Sequence, residues 1–133
     1  IYLGTKVVSN QSEFVIGKTT YRVNGMEKEM DTAAYLAKEG RTMLPVRYVA
    51  DALGVSANQI LWDSENKTVT ILADRVIQIK LGSKEMLTNS TKVPMVAVAE
   101  MKNNRVFIPV AEIARALGAD VAWDPVTQTA TFN

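Results

Sequence analysis

One stretch of this chain occurs twice, which obliges it to fold as two copies of one unit rather than as a single irregular domain. The first copy runs from Arg41 through Pro45 and Leu53-Gly54 to Trp62-Asp63. The second runs from Arg105 through Pro109 and Leu117-Gly118 to Trp123-Asp124. Arg, Pro, Leu-Gly and Trp-Asp recur in one order, with three additional residues in the first copy between Gly and Trp. Most of the motif is legible as architecture. Proline suits the first turn of a helix, where a missing N–H costs nothing. Val46, Val49, Ala50 and Leu53 make one apolar stripe, and Val110, Ile113, Ala114 and Leu117 make its counterpart. Gly54 and Gly118 supply the left-handed stop. Helices this short are unstable alone and need a sheet to hold them.

The flanking segments supply that sheet. Glu13 to Gly17 and Thr20 to Val23 read as a hairpin turning at Gly17-Lys18, and Asn24-Gly25 is a stronger turn into Met26–Met30. Asp31 to Glu39 has helical propensity but lies between β segments, and is expected to be an irregular or short-strand connection. Ile60-Leu61-Trp62 and Val121-Ala122-Trp123 enter strands that turn at Asp63–Lys67 and Asp124–Gln128. Each Asp is placed to accept backbone N–H bonds, and Asn66 suits a left-handed position. Thr68–Ile71 and Thr129–Phe132 then alternate outward and inward. Arg75–Lys80 and Glu85–Leu87 form a hairpin read as the counterpart of Thr20–Val23 and its partner. The expected class is α+β: two similar repeats, each a small antiparallel sheet wrapped around one short helix, packed together. Residues 1–13 form a lead-in, with Lys6-Val7-Val8 as an edge strand and Ser9–Ser12 as a turn. Residues 14–72 form the first repeat and residues 73–133 the second.

Composition narrows the chemistry. Fifteen basic and fourteen acidic residues leave a formal charge of +1, and no two basic residues are adjacent, so there is no field to draw in nucleic acid. The sequence has no histidine and no cysteine. That removes the commonest metal ligand, the commonest general base, and thiol nucleophiles. No apolar run approaches the ~20 residues of a membrane span. The chain begins at Ile1 rather than Met, and is expected to be a piece of a longer protein.

The repeated residues resemble the copper amine oxidase N-terminal-like, or stalk, domain family. Gly40 through Gly54 and Trp62-Asp63 match its pattern closely; Asn104 through Gly118 and Trp123-Asp124 match less fully, with Ala111 in place of Arg47 and Arg115 in place of Asp51. The resemblance implies a small antiparallel sheet twisted around a helix. It also implies a module of secreted or surface-attached bacterial proteins, extracellular or cell-wall associated, that stands apart from the catalytic domain. The oxidase's catalytic centre uses three histidines and a tyrosine-derived quinone; with no histidine, this chain cannot form it.

Three residues keep a claim to function. Trp62 and Trp123 could stack on sugar rings or on a partner's side chains, although large aromatics at equivalent repeat positions more often seal a core. Arg47 and Asp51 are one helical turn apart, which suggests an exposed ion pair. Arg47 near a helix start is electrostatically awkward, and this points to a specific carboxylate partner within the fold. Asp63, Glu65 and Asn66 resemble a fragment of a calcium loop, but the turn reading prevails because the second copy lacks those ligands. The expected function is a non-enzymatic spacer, adhesion or contact module without a cofactor, whose partner is cell-wall glycan or another protein. A carbohydrate-binding module using Trp62 or Trp123 comes second. A hydrolase using scattered carboxylates such as Glu112, Asp120 and Asp124 comes last. Many short strands leave sheet edges through which a homo-oligomer could form.

Overall fold

The computed structural model describes residues 11–133, and the expected edge strand at Lys6–Val8 lies outside them. The first half contains β1 (Ser12–Val15), β2 (Thr20–Val23), β3 (Met26–Glu29), β4 (Tyr35–Leu36), β5 (Thr42–Pro45), helix α1 (Val46–Leu53), β6 (Ile60–Asp63) and β7 (Thr68–Leu72). The second contains β8 (Val76–Lys80), β9 (Glu85–Thr88), β10 (Thr91–Pro94), β11 (Glu100–Lys102), β12 (Arg105–Pro109), helix α2 (Val110–Ala116), β13 (Val121–Asp124) and β14 (Thr129–Phe132). The class is α+β with antiparallel sheets, as expected, and the 31–39 connection carries a two-residue strand rather than a helix.

Hydrogen bonds fix which elements correspond. Asn24 Oδ1 accepts the Gln11 N–H at 2.9 Å, and Asn89 Oδ1 accepts the Val76 N–H at 2.9 Å. Gly17 N–H donates to the Ala34 carbonyl at 2.9 Å, and Gly82 N–H to the Ala99 carbonyl at 3.0 Å. Strand β8 is therefore the twin of β1, and β9 the twin of β2. This moves the correspondence read from the sequence by one strand. The cause is the turn at Asn89-Ser90, which has φ of 48° and 68° without any glycine to advertise it, where Asn24-Gly25 has 52° and 81°. Ser12, expected in a turn, is the buried first residue of β1.

The helix signals hold with small shifts. Each proline closes the preceding strand, and Pro109 caps α2 from an extended conformation (φ −73°, ψ 99°). Gly118, at φ 85°, donates to the Arg115 carbonyl at 3.0 Å while Ala119 N–H reaches the Ala114 carbonyl at 2.8 Å. These two bonds satisfy the orphan carbonyls of the last turn. On α2 the buried stripe is Val110, Ile113, Ala114 and Leu117. On α1 it includes Val49, Ala52 and Leu53, Val46 is only half-buried, and the side chain expected at Ala50 lies outside the described ones. In the Asp63 turn the left-handed residue is Lys67 (φ 51°) rather than Asn66, whose side-chain amide instead donates to Asp63 Oδ2 at 2.8 Å.

Neither half closes its own sheet. One five-stranded sheet runs β13-β14-β1-β2-β3, so the last hairpin of the chain pairs with its first strands. The other runs β10-β9-β8-β7-β6, so the first half's hairpin extends the second half's meander. A four-stranded sheet, β11-β12-β5-β4, lies between the two halves. In it Leu44 pairs with its own twin Ile108, flanked by Met43 with Pro109 and Pro45 with Phe107. A local two-fold axis therefore passes through the Leu44–Ile108 pair, and both side chains are fully buried. Both helices pack on β5 and β12. One continuous core takes residues from each half, including Phe14, Leu44, Leu53, Ile79, Ile108, Leu117 and Phe132.

Strand exchange of this kind couples the halves. In single-tryptophan variants (Trp62→Phe and Trp123→Phe), each probe reports one outer sheet, and the two denaturation curves are expected to coincide. Phe132 is fully buried on β14. Phe132→Ala should lower the unfolding free energy reported by both probes by about 3–5 kcal/mol. Separate midpoints would mean that the halves unfold independently.

Candidate functional site

The three residues singled out in the sequence are distributed over different elements. Trp62 lies on β6 and Trp123 on β13, each an outermost strand of its five-stranded sheet among the described residues. Each is 41% exposed, so neither seals the core. The reason is their place at the sheet margin: Trp62 pairs with Val69 and Trp123 with Ala130, so each indole shares the inward face, but on the outermost strand the core no longer covers it, and the last three residues of each of these strands are exposed.

Arg47 is exposed at the start of α1, with its guanidinium carbon 6.0 Å from the Tyr48 ring centroid, at the outer limit of a cation–π contact. The expected pair with Asp51 does not form. Asp51 instead accepts the Tyr21 hydroxyl at 2.6 Å and the Lys28 ammonium at 3.0 and 3.1 Å. Burial, and then the adjacent carboxylate, push the Tyr21 hydroxyl pKa upward, which keeps it protonated as the donor.

Two grooves related by the local axis contain the rest. Arg47, Arg105, Asn104 and Val106 line a cavity of about 500 Å³. Their twins Ala111, Arg41, Gly40 and Thr42, together with Trp123 and Arg115, line one of about 200 Å³. Each groove carries two arginines; in the second, Ala111 stands at the position of Arg47 and Trp123 joins the wall. The geometry does not gather Arg47, Trp62 and Trp123 into a single site.

Arginine opens both copies of the motif, at Arg41 and Arg105, with no role apparent from the sequence. The structure gives it one. Arg105 crosses to Asp31 in the other half, with Nε at 2.8 Å from Oδ1 and Nη2 at 2.5 Å from Oδ2, and also bonds the Asn103 carbonyl at 2.7 Å. Its twin Arg41 crosses the opposite way to Glu112 at 3.3 Å. Tyr48 hydroxyl accepts the Asp31 N–H at 3.2 Å, and Glu112, at the twin position, accepts the Val96 N–H at 2.9 Å. The detectable signal was recurrence of a charge on a strand, where a solvated residue has no need to recur.

The aspartates that open the two Trp-Asp turns are committed to structure. Asp63 accepts the N–H groups of Glu65 and Asn66 at 3.0 and 3.1 Å, and Asp124 those of Val126 and Thr127 at 2.9 and 3.4 Å. Asn66, through its side chain and backbone, holds the Asp63 pKa below the usual carboxylate range, and the Val126 and Thr127 amides do so for Asp124. The hydrogen bonds from Arg105 lower that of Asp31 in the same way. A depressed folded-state pKa contributes stability above the unfolded value of ~3.9 that is lost as pH falls through the folded value. Asp31→Asn should therefore flatten the acid limb of the stability–pH profile below about pH 4 and leave the neutral limb parallel to the parent. An unchanged acid limb would remove the bridge from the fold's energetics.

Among the described residues no group of three His, Cys, Asp or Glu side chains could hold a metal ion. With histidine and cysteine absent from the sequence, no imidazole or thiolate donor is available for copper. Among the described residues no helix is long and apolar enough to cross a membrane. Comparison with curated proteins and with solved structures finds no match. The copper amine oxidase N-terminal domain family matches over residues 5–59 and 23–132, two overlapping segments consistent with the repeat. This chain belongs to that family, whose domain is a non-catalytic module of larger proteins.

Proposed function

We propose that this chain is a non-catalytic contact module of a larger secreted bacterial protein, acting outside the cell or at the cell wall through Trp62 and Trp123. The observation that supports this reading is the equivalent exposure of the two indoles on the outermost described strands of their sheets. A tryptophan left 41% exposed in each repeat forgoes much of its burial energy, and large aromatics presented this way serve recognition more readily than packing. The family provides the module reading. Side-chain chemistry provides the non-catalytic one: one carboxylate oxygen of Glu112 and one of Asp124 accept structural hydrogen bonds, and no histidine or cysteine is present to activate a nucleophile.

Of the two partner classes, cell-wall glycan is favoured over protein. An indole face stacks on the C–H face of a sugar without further polar complementarity, and the groove beside Trp123 adds Arg41 and Arg115 for hydroxyl or carboxyl groups. The parent chain should co-sediment with purified cell-wall glycan. Its affinity should fall about tenfold for each of Trp62→Ala and Trp123→Ala, from the ~0.5–1.5 kcal/mol of an aromatic contact plus its lost area. Binding that survives digestion of the glycan would transfer the contact to protein. Absence of binding, or equal binding by the double variant, would sink the tryptophan reading.

A further inference from the structure

The local two-fold axis allows every position in one half to be checked against its twin, and the two halves differ most beside the end of each helix. In the first half this place is filled. The Tyr21 ring stacks on Phe14 at 4.8 Å and lies edge-on to Tyr48 at 5.8 Å, and its hydroxyl meets Asp51, which also holds Lys28. Tyr21 and Lys28 are a cross-strand pair of β2 and β3, and their twins on β9 and β10 are the pair Met86 and Val93. Tyr48 becomes Glu112 and Asp51 becomes Arg115. The phenol ring, the ammonium and the anion that bound them are all gone. What remains is a cavity of about 370 Å³ walled by Met86, Val93, Pro94 and Ala116.

The polar groups around this cavity are incomplete. Thr88 Oγ1 and Glu112 Oε2 both belong to side chains in its wall, both are buried, and neither has a hydrogen-bond partner. An unsatisfied buried acceptor is costly, and native folds keep few of them. Glu112 cannot swing away to solvent, because its other oxygen is held by Arg41 and by the Val96 N–H. Beside them stand two cations, Arg115, three residues along α2 from Glu112, and Arg75. Arg75 donates to the Ala116 carbonyl at 2.5 Å, and Arg115 makes no ion pair among the described residues. An occupant therefore needs an N–H for Glu112 and Thr88, an apolar body, and an anion for Arg115. The volume is at the lower end of the ~300–1,000 Å³ of small-molecule sites, which suits one residue rather than an extended chain.

We propose that the cavity between α2 and strands β9 and β10 binds an apolar amino acid with a free carboxylate. The carboxylate lies at Arg115, the side chain against Met86 and Val93, and the nitrogen at Glu112 and Thr88. The same chemistry is offered by a free amino acid and by the C-terminal residue of a peptide. This site shares Arg115 with the groove beside Trp123 but neither tryptophan, and its occupancy is read at Met86 and Ala116, which line this cavity and not that groove.

The test is titration of the isotope-labelled chain with L-leucine, N-acetyl-L-leucine and L-leucinamide, following the Met86 methyl and Ala116 amide resonances. Leucine, acetyl-leucine or both should give saturable shifts at these two positions, and leucinamide should bind at least about tenfold more weakly for want of the charge-assisted bond. Binding of acetyl-leucine assigns the peptide C-terminus as a source; binding of leucine alone assigns the free amino acid. Arg115→Ala, an exposed position, should weaken the better ligand about tenfold with the rest of the spectrum unchanged. Thr88→Val, which keeps the shape, should weaken it independently. Absence of shifts with all three probes, equal binding of leucinamide, or binding indifferent to both variants would overturn the proposal.

Discussion

The pairing of Leu44 with Ile108 is the contact on which the remaining architecture depends. Equivalent residues that face each other across an antiparallel ladder place a two-fold axis between them, so the two central strands can meet only if the halves are related by rotation. Once β5 and β12 are so joined, each carries its helix to the same core, and the flanking hairpins project past the partner half. Exchange of the outer strands follows. Two short helices of eight and seven residues, unstable in isolation, are then held between sheets that neither half could complete alone.

The sequence made the unit visible because its signals are local. Proline, glycine and aspartate act within a turn or two of themselves, and each did what its chemistry requires at Pro109, Gly118 and Asp63. The correspondence of the meanders was harder to see, because Asn89-Ser90 makes without glycine the turn that Asn24-Gly25 makes with it. The shared sheets were invisible for a deeper reason. A strand that pairs with a neighbour in sequence and one that pairs across the molecule show the same alternation. Thr129–Phe132 thus gave no indication that Phe132 would meet Phe14 at 6.2 Å.

Side chains at the candidate sites were misread where burial had to be guessed. Both tryptophans looked like core residues because indoles usually are, yet edge-strand placement leaves them outside. Asp51 looked like the partner of Arg47 because helical spacing brings i and i+4 together. A tyrosine and a lysine from β2 and β3 offered closer bonds, and a part-buried carboxylate gains more from a short O–H donor than from an exposed guanidinium. Competition from tertiary neighbours decides such cases, and spacing along a single helix contains no information about it.

Symmetry also gives the differences between the halves their meaning. The core tolerates different fillings of one backbone plan: Phe14, Tyr21 and Phe132 in one outer sheet correspond to Ile79, Met86 and Ile71 in the other, all buried. Exchanging aromatic for aliphatic packing at constant pairing is the kind of drift a duplicated core accommodates. Replacing Asp51 by Arg115 and Tyr48 by Glu112 is not. Those two exchanges reverse a charge at one position and bury a new one nearby, and the charge that neutralises Glu112 comes from Arg41 of the opposite half. A buried carboxylate neutralised by the other repeat's arginine makes the strand exchange a condition for the second half's polar architecture as well as for its core.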